Sequence, residues 1–127
     1  MEVTSNKTLT TIVRERRPTP RFHLLTRVDI AVADGGDIYW GSTLNLSRTG
    51  AAVVLRHQLK PKQRVTVRFH FQSLDGREVI EELIAKANWQ CGDNTGLEFE
   101  TPLTAGSPAL QKARFLVTHL EAKETGH

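Results

Sequence analysis

The segment RERRPTPRFH, residues 14 to 23, contains the residue types that most clearly suggest chemistry. Four arginines lie within the eight positions 14–21, interrupted by two prolines. Pro18 and Pro20 prevent a regular helix, because each lacks a backbone N–H and restricts the residue before it. The arginines are therefore predicted to lie on an extended strap, called the arginine strap (residues 14–21) below. Guanidinium groups arranged in this way suit an anion, above all a phosphate.

The positive charge of the protein is concentrated in and around this strap. The formal net charge of the chain is +3, whereas residues 14–27 hold five arginines and one glutamate, a net charge of +4. The rest of the chain is nearly balanced. This distribution predicts a localised anion site rather than a broad surface for long nucleic acid.

A second polar motif, NLSRTG, occupies residues 45 to 50. The alternation of the preceding strand places Leu44 and Leu46 inward, so Asn45 and Ser47 point to the outer face. Asn45 offers both donors and acceptors, and Ser47 offers a hydroxyl. Gly50 permits a positive φ angle and the close approach of another group. Together these residues are predicted to form a small polar recognition site.

Period-two alternation of apolar residues predicts the strands that position both motifs. The first strand begins at Phe22, and the second places Ile38, Trp40 and Ser42 inward with the two leucines. The pattern is cleanest in the fourth strand, where the predicted inward residues are Val65, Val67, Phe69 and Phe71. Six short strands with turns at regular intervals predict a six-stranded antiparallel β-barrel.

Residues after the last strand change to helical spacing. Ser107 and Pro108 resemble an N-cap followed by proline at the first helical position. We therefore predict a flexible segment at 1–13, a barrel including the strap at 14–104, a C-terminal α-helix at 105–124 and a tail at 125–127. The helix is expected to cover an open end or edge of the barrel.

Several classes of function lack support in the sequence. No apolar run approaches the length of a membrane helix, and the first 16 residues lack the apolar core of a signal peptide, so we expect a cytoplasmic protein. The single Cys91 excludes an intramolecular disulfide and a cysteine-based zinc site, and the five histidines lack metal-ligand spacing. We find no activated nucleophile, paired acidic groups or phosphate-binding loop, and so predict no enzyme, catalytic residue, cofactor or metal.

The two motifs together resemble those of PilZ domains. Residues 17–21, RPTPR, are similar to the RxxxR motif of that family, and NLSRTG is similar to its (D/N)xSxxG motif. The separation of the motifs, the barrel with a C-terminal helix, and the closing sequence GLEF at residues 96–99 agree with the family. The resemblance covers residues 14 to 103 and implies a receptor for cyclic di-GMP, a bacterial second messenger.

The resemblance also implies a role for each motif residue. Arg17 and Arg21 would hold phosphates and guanine edges, Asn45 and Ser47 would bond the ligand, and Gly50 would leave room for it. Asn45 stands where the family often has Asp, which removes a charge from this contact. Arg14, Arg48 and Trp89 are candidates for lesser contacts, although Arg48 is expected to be solvated.

The two tryptophans are interpreted mainly as core residues. The register of Ala85 and Ala87 favours Trp89 as a core residue over a stacking platform. Trp40 is predicted to be in the core.

Arg16 directly precedes the RxxxR motif. In PilZ domains an arginine at that place tends to accompany two intercalated cyclic di-GMP molecules, whose four phosphates require additional positive charge. We therefore expect two ligands per chain, with Arg16 among the binding residues.

The output is expected to be a protein–protein contact. A receptor domain without a catalytic partner would pass the signal to an unidentified protein effector as ligand orders the strap. The alternatives are a basic-armed barrel that binds single-stranded nucleic acid, and a PilZ-like adaptor that acts without ligand. Exposed aromatic residues among the strap charges would favour nucleic acid, but the predicted register turns Phe22 inward.

Overall fold

The computed structural model describes residues 22–32 and 36–124, which form six strands followed by two short helices. The strands are β1 (Phe22–Val32), β2 (Ile38–Leu46), β3 (Gly50–Val54), β4 (Arg64–Ser73), β5 (Glu78–Cys91) and β6 (Asn94–Phe99). The helices are α1 (Ala109–Lys112) and α2 (Arg114–Glu124).

The strands close into a barrel in the order β1-β2-β3-β6-β5-β4, and every neighbouring pair is antiparallel. The predicted six-stranded antiparallel barrel with a C-terminal helical region is therefore confirmed. Closure pairs every strand on both sides, so this barrel has no free edge.

The interior of the barrel is filled by alternate apolar residues, as the pattern predicts. Val65, Val67, Phe69 and Phe71 of β4 are all fully or almost fully buried. Phe69 meets Phe99 of β6 edge to face, with ring centroids 6.2 Å apart. Side chains of the C-terminal region complete this core; the buried ones are Ala109 of α1, Ala113 between the helices, and Leu116 and Leu120 of α2.

Strand β2 departs from the predicted register. Trp40 is 70% exposed, and Ile38 and Leu44 are 56% exposed, so the prediction that these three point inward is wrong. Pairing with β3 shifts between Thr43, opposite Val53, and Asn45, opposite Ala52. The extra residue in this β-bulge is Leu44, and such an insertion exchanges the faces of the strand. Leu46 follows the bulge and is buried as predicted.

The C-terminal helical region is shorter and more divided than predicted. It begins at Ala109 and is interrupted at Ala113, whose φ of −123° and ψ of 47° are not helical. Helix α2 is capped from the barrel: the carboxylate of Glu81 in β5 accepts the N–H groups of Phe115 at 2.8 Å and Leu116 at 2.9 Å. These are orphan donors of a helix N-terminus, so Glu81 fixes where α2 begins.

Within the described part of the chain, neither helix has the length and apolar character required to cross a membrane.

Candidate functional site

The turn between β2 and β3 is organised by the Ser47 hydroxyl. The N–H groups of Thr49 and Gly50 both donate to Ser47 Oγ at 3.2 Å. The Ser47 N–H donates to the Gly50 carbonyl at 2.9 Å and closes the turn. Ser47 is exposed, as predicted, but its oxygen already accepts two backbone bonds. A ligand that contacts Ser47 Oγ would therefore meet an oxygen whose position is already fixed by the turn.

Asn45 is exposed on the outer face, immediately after the β2 bulge. Its Oδ1 accepts the N–H of the next residue, Leu46, at 2.8 Å. The Nδ2 group has no such bond within the described chain, so its two N–H donors remain available to a bound molecule. The oxygen retains capacity for one further bond.

Gly50 opens β3 without the positive φ angle that glycine permits, but it does allow the predicted close approach of another group. A β-carbon at this position would overlap the carbonyl oxygen of Leu97 in β6. The glycine is required by the close approach of two strand backbones. Since no side chain is present at position 50, the cleft is deeper at this point.

Trp89 lies on the outer face of the barrel and not in the core, contrary to the favoured interpretation. Its side chain is 49% exposed. Pairing of β5 with β6 shifts between Ala87 and Trp89, and this shift turns Trp89 out of the inward register. Trp89 pairs with Gly96, where a β-carbon would overlap the indole. The absence of a side chain at Gly96 lets the indole lie across the neighbouring strand.

These residues share one open cleft on the outer face of β2, β3, β6 and β5. Asn45, Ser47, Gly50, Trp89 and Gly96 line it, and its volume is about 290 Å³. This volume lies at the lower limit of the roughly 300–1,000 Å³ typical of ligand pockets. The cleft can therefore accommodate part of a dinucleotide and requires a further wall to enclose the whole.

Three polar cleft residues were missed by sequence analysis: Thr49, Asn88 and Glu98. The β6 alternation offers a signal for Glu98, because inward Leu97 and Phe99 place it on the same face as Gly96. Asn88 gives no comparable signal, since it lies within the irregular register of β5. None of the described lining residues is cationic.

Arg48 is directed away from the cleft and is not simply solvated. Its Nε and Nη2 donate to the two carboxylate oxygens of Glu124 at 2.8 and 3.0 Å, and Nη1 donates to the Leu103 carbonyl at 2.6 Å. The hydrogen bond from Arg48 lowers the pKa of Glu124 below its usual value, although desolvation opposes the shift. The motif turn is thereby fastened to the C-terminal end of α2.

The remaining predicted binding residues are Arg14, Arg16, Arg17 and Arg21, and they lie outside the described residues. Strand β1 follows these residues in the sequence and shows where they are connected to the barrel. Strands β1 and β2 are antiparallel, with Arg27 opposite Ser42, so Phe22 lies at the end of the barrel where β2 finishes. The strap therefore joins the barrel at the same end as the NLSRTG turn.

The cleft on the outer face is lined mainly by small and polar residues together with the indole of Trp89. Among residues 22–32 and 36–124, no group of three or more His, Cys, Asp or Glu side chains could hold a metal ion. The described chain is thus a closed antiparallel barrel with a polar cleft and an exposed indole on its outer face.

Comparison with known proteins identifies the kind of barrel. The family model described as "PilZ domain" matches residues 15–116, so the chain belongs to the PilZ domain family. The family consists of binding and adaptor domains that are generally receptors for cyclic di-GMP.

A solved structure supports the same assignment. The chain is similar to the PilZ domain of CeSA from a cellulose-synthesizing bacterium, which is known from a crystal structure. The two sequences are 27% identical, and the two structures superpose with a TM-score of 0.52. The match covers 80% of this chain and 98% of that one. None of the curated proteins matches the chain.

Proposed function

We propose that this protein is a cyclic di-GMP receptor whose ligand lies between the outer-face cleft and the arginine strap. The observation that carries the proposal is the grouping of Asn45, Ser47 and Gly50 of one family motif in a single cleft with Trp89. The strap that holds the other motif joins the barrel at the same end.

In this proposal the residues of the cleft recognise the guanine bases, and the arginine strap binds the phosphates. Amide donors of Asn45 and the carboxylate of Glu98 match the acceptor and donor edges of guanine. The exposed indole of Trp89 offers a face on which a base can stack. Phosphates require cations, and no described residue of the cleft supplies one. Arg17 and Arg21 of the strap fill that role by bidentate bonds.

The site is tested by calorimetric titration with cyclic di-GMP, using cyclic di-AMP as the matched ligand. Both ligands have two phosphates, but adenine lacks the O6 acceptor and the N2 amino group of guanine. We expect saturable binding of cyclic di-GMP and at least tenfold weaker binding of cyclic di-AMP. Equal affinity for the two would contradict guanine recognition.

The strap is tested by Arg17→Ala and Arg21→Ala, each of which is expected to weaken binding tenfold or more. A hydrogen bond to a charged group contributes about 1.5–3 kcal/mol, and about 1.4 kcal/mol corresponds to tenfold in affinity. Arg64→Ala is the control, because Arg64 pairs with Glu100 and does not line the cleft. Wild-type affinity in both strap variants would refute the assignment.

The signal reaches an effector protein, in this proposal, through ordering of the strap on the ligand. Bound phosphate neutralises arginines that otherwise repel one another, and fixes the strap across the barrel. Amide hydrogen exchange tests this step. We expect added protection in residues 10–22 on binding, and its absence would exclude the ordering mechanism while leaving the receptor assignment intact.

A further inference from the structure

An apolar surface on β2 is not used by the cleft described above. Ile38, Trp40 and Leu44 are all exposed, and Trp40 is one of the least covered large apolar side chains of the described chain. Trp40 lines a groove of about 660 Å³ together with Val54 and Arg56. Several exposed apolar side chains on one strand, beside a groove, mark an interaction site more often than an exposed single residue does. We call it the Trp40 surface: Ile38, Trp40, Leu44, Arg27 and Arg56.

The accessible charge on this surface is positive. The guanidinium of Arg27 lies 5.9 Å from the Trp40 ring centroid, and its side chain is 60% exposed. Asp29, which is opposite Trp40 in β1, is only 13% exposed and already accepts bonds from Arg27 and His70. Arg56 lies in the same groove, is exposed, and forms no ion pair with a described residue. The exposed carboxylate of Asp37 lies at the margin, beside the Tyr39 hydroxyl.

We propose that the Trp40 surface is a docking site for an acidic, amphipathic segment of a partner protein. Trp and Arg are the residues most enriched at the centres of protein interfaces. Apolar side chains of the segment would cover Ile38 and Trp40, while its carboxylates would pair with Arg27 and Arg56. The barrel is closed, so a partner cannot add a strand and has to dock through side chains.

Two other occupants fit the surface less well. A second copy related by two-fold symmetry would bring Arg27 and Arg56 against a surface with the same exposed cations. Single-stranded nucleic acid favours several aromatic faces in series, whereas Ile38 and Leu44 are aliphatic and offer none. The acidic segment complements both the exposed apolar area and the exposed guanidinium groups.

The test is selection of random 16-residue peptides displayed on phage, against the full chain, with counter-selection against Trp40→Ser. We expect enrichment of peptides that combine Asp and Glu with apolar residues. The most enriched peptide, synthesised with a fluorescent label, should bind Trp40→Ser and Arg56→Glu at least tenfold more weakly than wild type. Leu74→Ser and Lys112→Glu are matched controls for lost apolar area and reversed charge, and should bind as wild type.

Other outcomes would overturn the proposal. These are enrichment of basic or uncharged peptides, no enrichment dependent on Trp40, and wild-type binding by both variants. A dimer in sedimentation equilibrium that Trp40→Ser abolishes would assign the surface to a second copy. Binding of a labelled oligothymidine that requires Trp40 would assign it to nucleic acid.

Two measurements separate a lost contact from a lost fold. Thermal melts verify that the variants are folded, and the peptide affinity of Arg56→Glu decides between the outcomes if Trp40→Ser lowers the melting temperature. Cyclic di-GMP affinity should be unchanged in both variants, so failure of the docking surface is distinguishable from failure of the nucleotide site.

Discussion

Leu44 and Leu46 are two positions apart, a spacing that puts two side chains on one face of a regular strand. The bulge in β2 separates them, so that Leu44 is exposed and Leu46 is buried. The same irregularity places Asn45 on the outer face next to the Ser47 turn. At the residue scale, a single inserted position decides which side chains form the core and which form the cleft.

This pair gives a stability prediction. Leu46→Ala removes buried methyl groups and leaves a cavity, which is expected to lower the free energy of unfolding by about 2–5 kcal/mol. Leu44→Ala changes an exposed position and is expected to alter it by no more than about 0.5 kcal/mol. Urea unfolding of the two variants measures both values. Equal destabilisation would show that the bulge is misplaced.

Ser47 is predicted to contribute to both stability and binding. Ser47→Ala leaves the N–H groups of Thr49 and Gly50 without their acceptor, which is expected to cost about 0.5–1.5 kcal/mol of stability. Cyclic di-GMP affinity should fall at least tenfold, because the turn loses both a contact and its fixed shape. Ser42→Ala, in the strand that precedes the turn, serves as the control in thermal melts and titrations. A variant with wild-type stability would show that the hydroxyl does not organise the turn.

At the scale of elements, α2 is attached to the barrel at both of its ends. Glu81 accepts the N–H groups of its first turn, and Arg48 binds Glu124 in its last. Between these ties, Phe115 contacts Phe22, with ring centroids 4.8 Å apart. The helix thus spans from the start of β1, where the strap joins, to the turn that contains Ser47.

The Glu81 cap gives a pH prediction. Burial raises the pKa of Glu81 above its ordinary value of 4.5, and outweighs the bonds from Phe115 and Leu116 that lower it. A carboxyl with a raised folded pKa binds more protons when folded, so its contribution to stability falls as pH rises through that pKa. The stability of wild type relative to Glu81→Gln should therefore decrease as pH rises above about 4.5.

The matched control for this prediction is Glu82→Gln, which alters the exposed partner of Arg68. Urea unfolding at a series of acidic pH values gives the difference in the free energy of unfolding between wild type and each variant. A stability difference for Glu81→Gln that increases with pH would contradict a raised pKa.

At the scale of the whole molecule, the proposed site combines polar and aromatic groups of the barrel with the arginines of residues 14–21. A second stacked ligand would double the phosphates in the site, and we propose that Arg16 offsets part of that charge. We predict two cyclic di-GMP molecules per chain. Calorimetry should give a ratio of two for wild type, and Arg16→Leu should shift it toward one while binding is retained. Saturation of wild type at one ligand per protein would rule the two-ligand model out.

Alternation and turn residues were sufficient to predict the six strands, the inward face of β4 and the outward direction of Asn45 and Ser47. These features are local, because a strand with one buried face repeats every second residue. The family was also evident from two motifs at a characteristic separation. Trp40, Ile38 and Trp89 were assigned to the core because each continues an apolar alternation along its own strand.

Only the tertiary structure decided where that alternation breaks. A bulge is a relation between two strands, and neither the shift opposite Val53 and Ala52 nor the one beside Gly96 can be read from one strand alone. The interactions of Arg48 with Glu124, and of Glu81 with α2, likewise join positions distant in sequence. Such contacts depend on closure of the barrel, which brings the turn, β5 and the last helix to one end of the molecule.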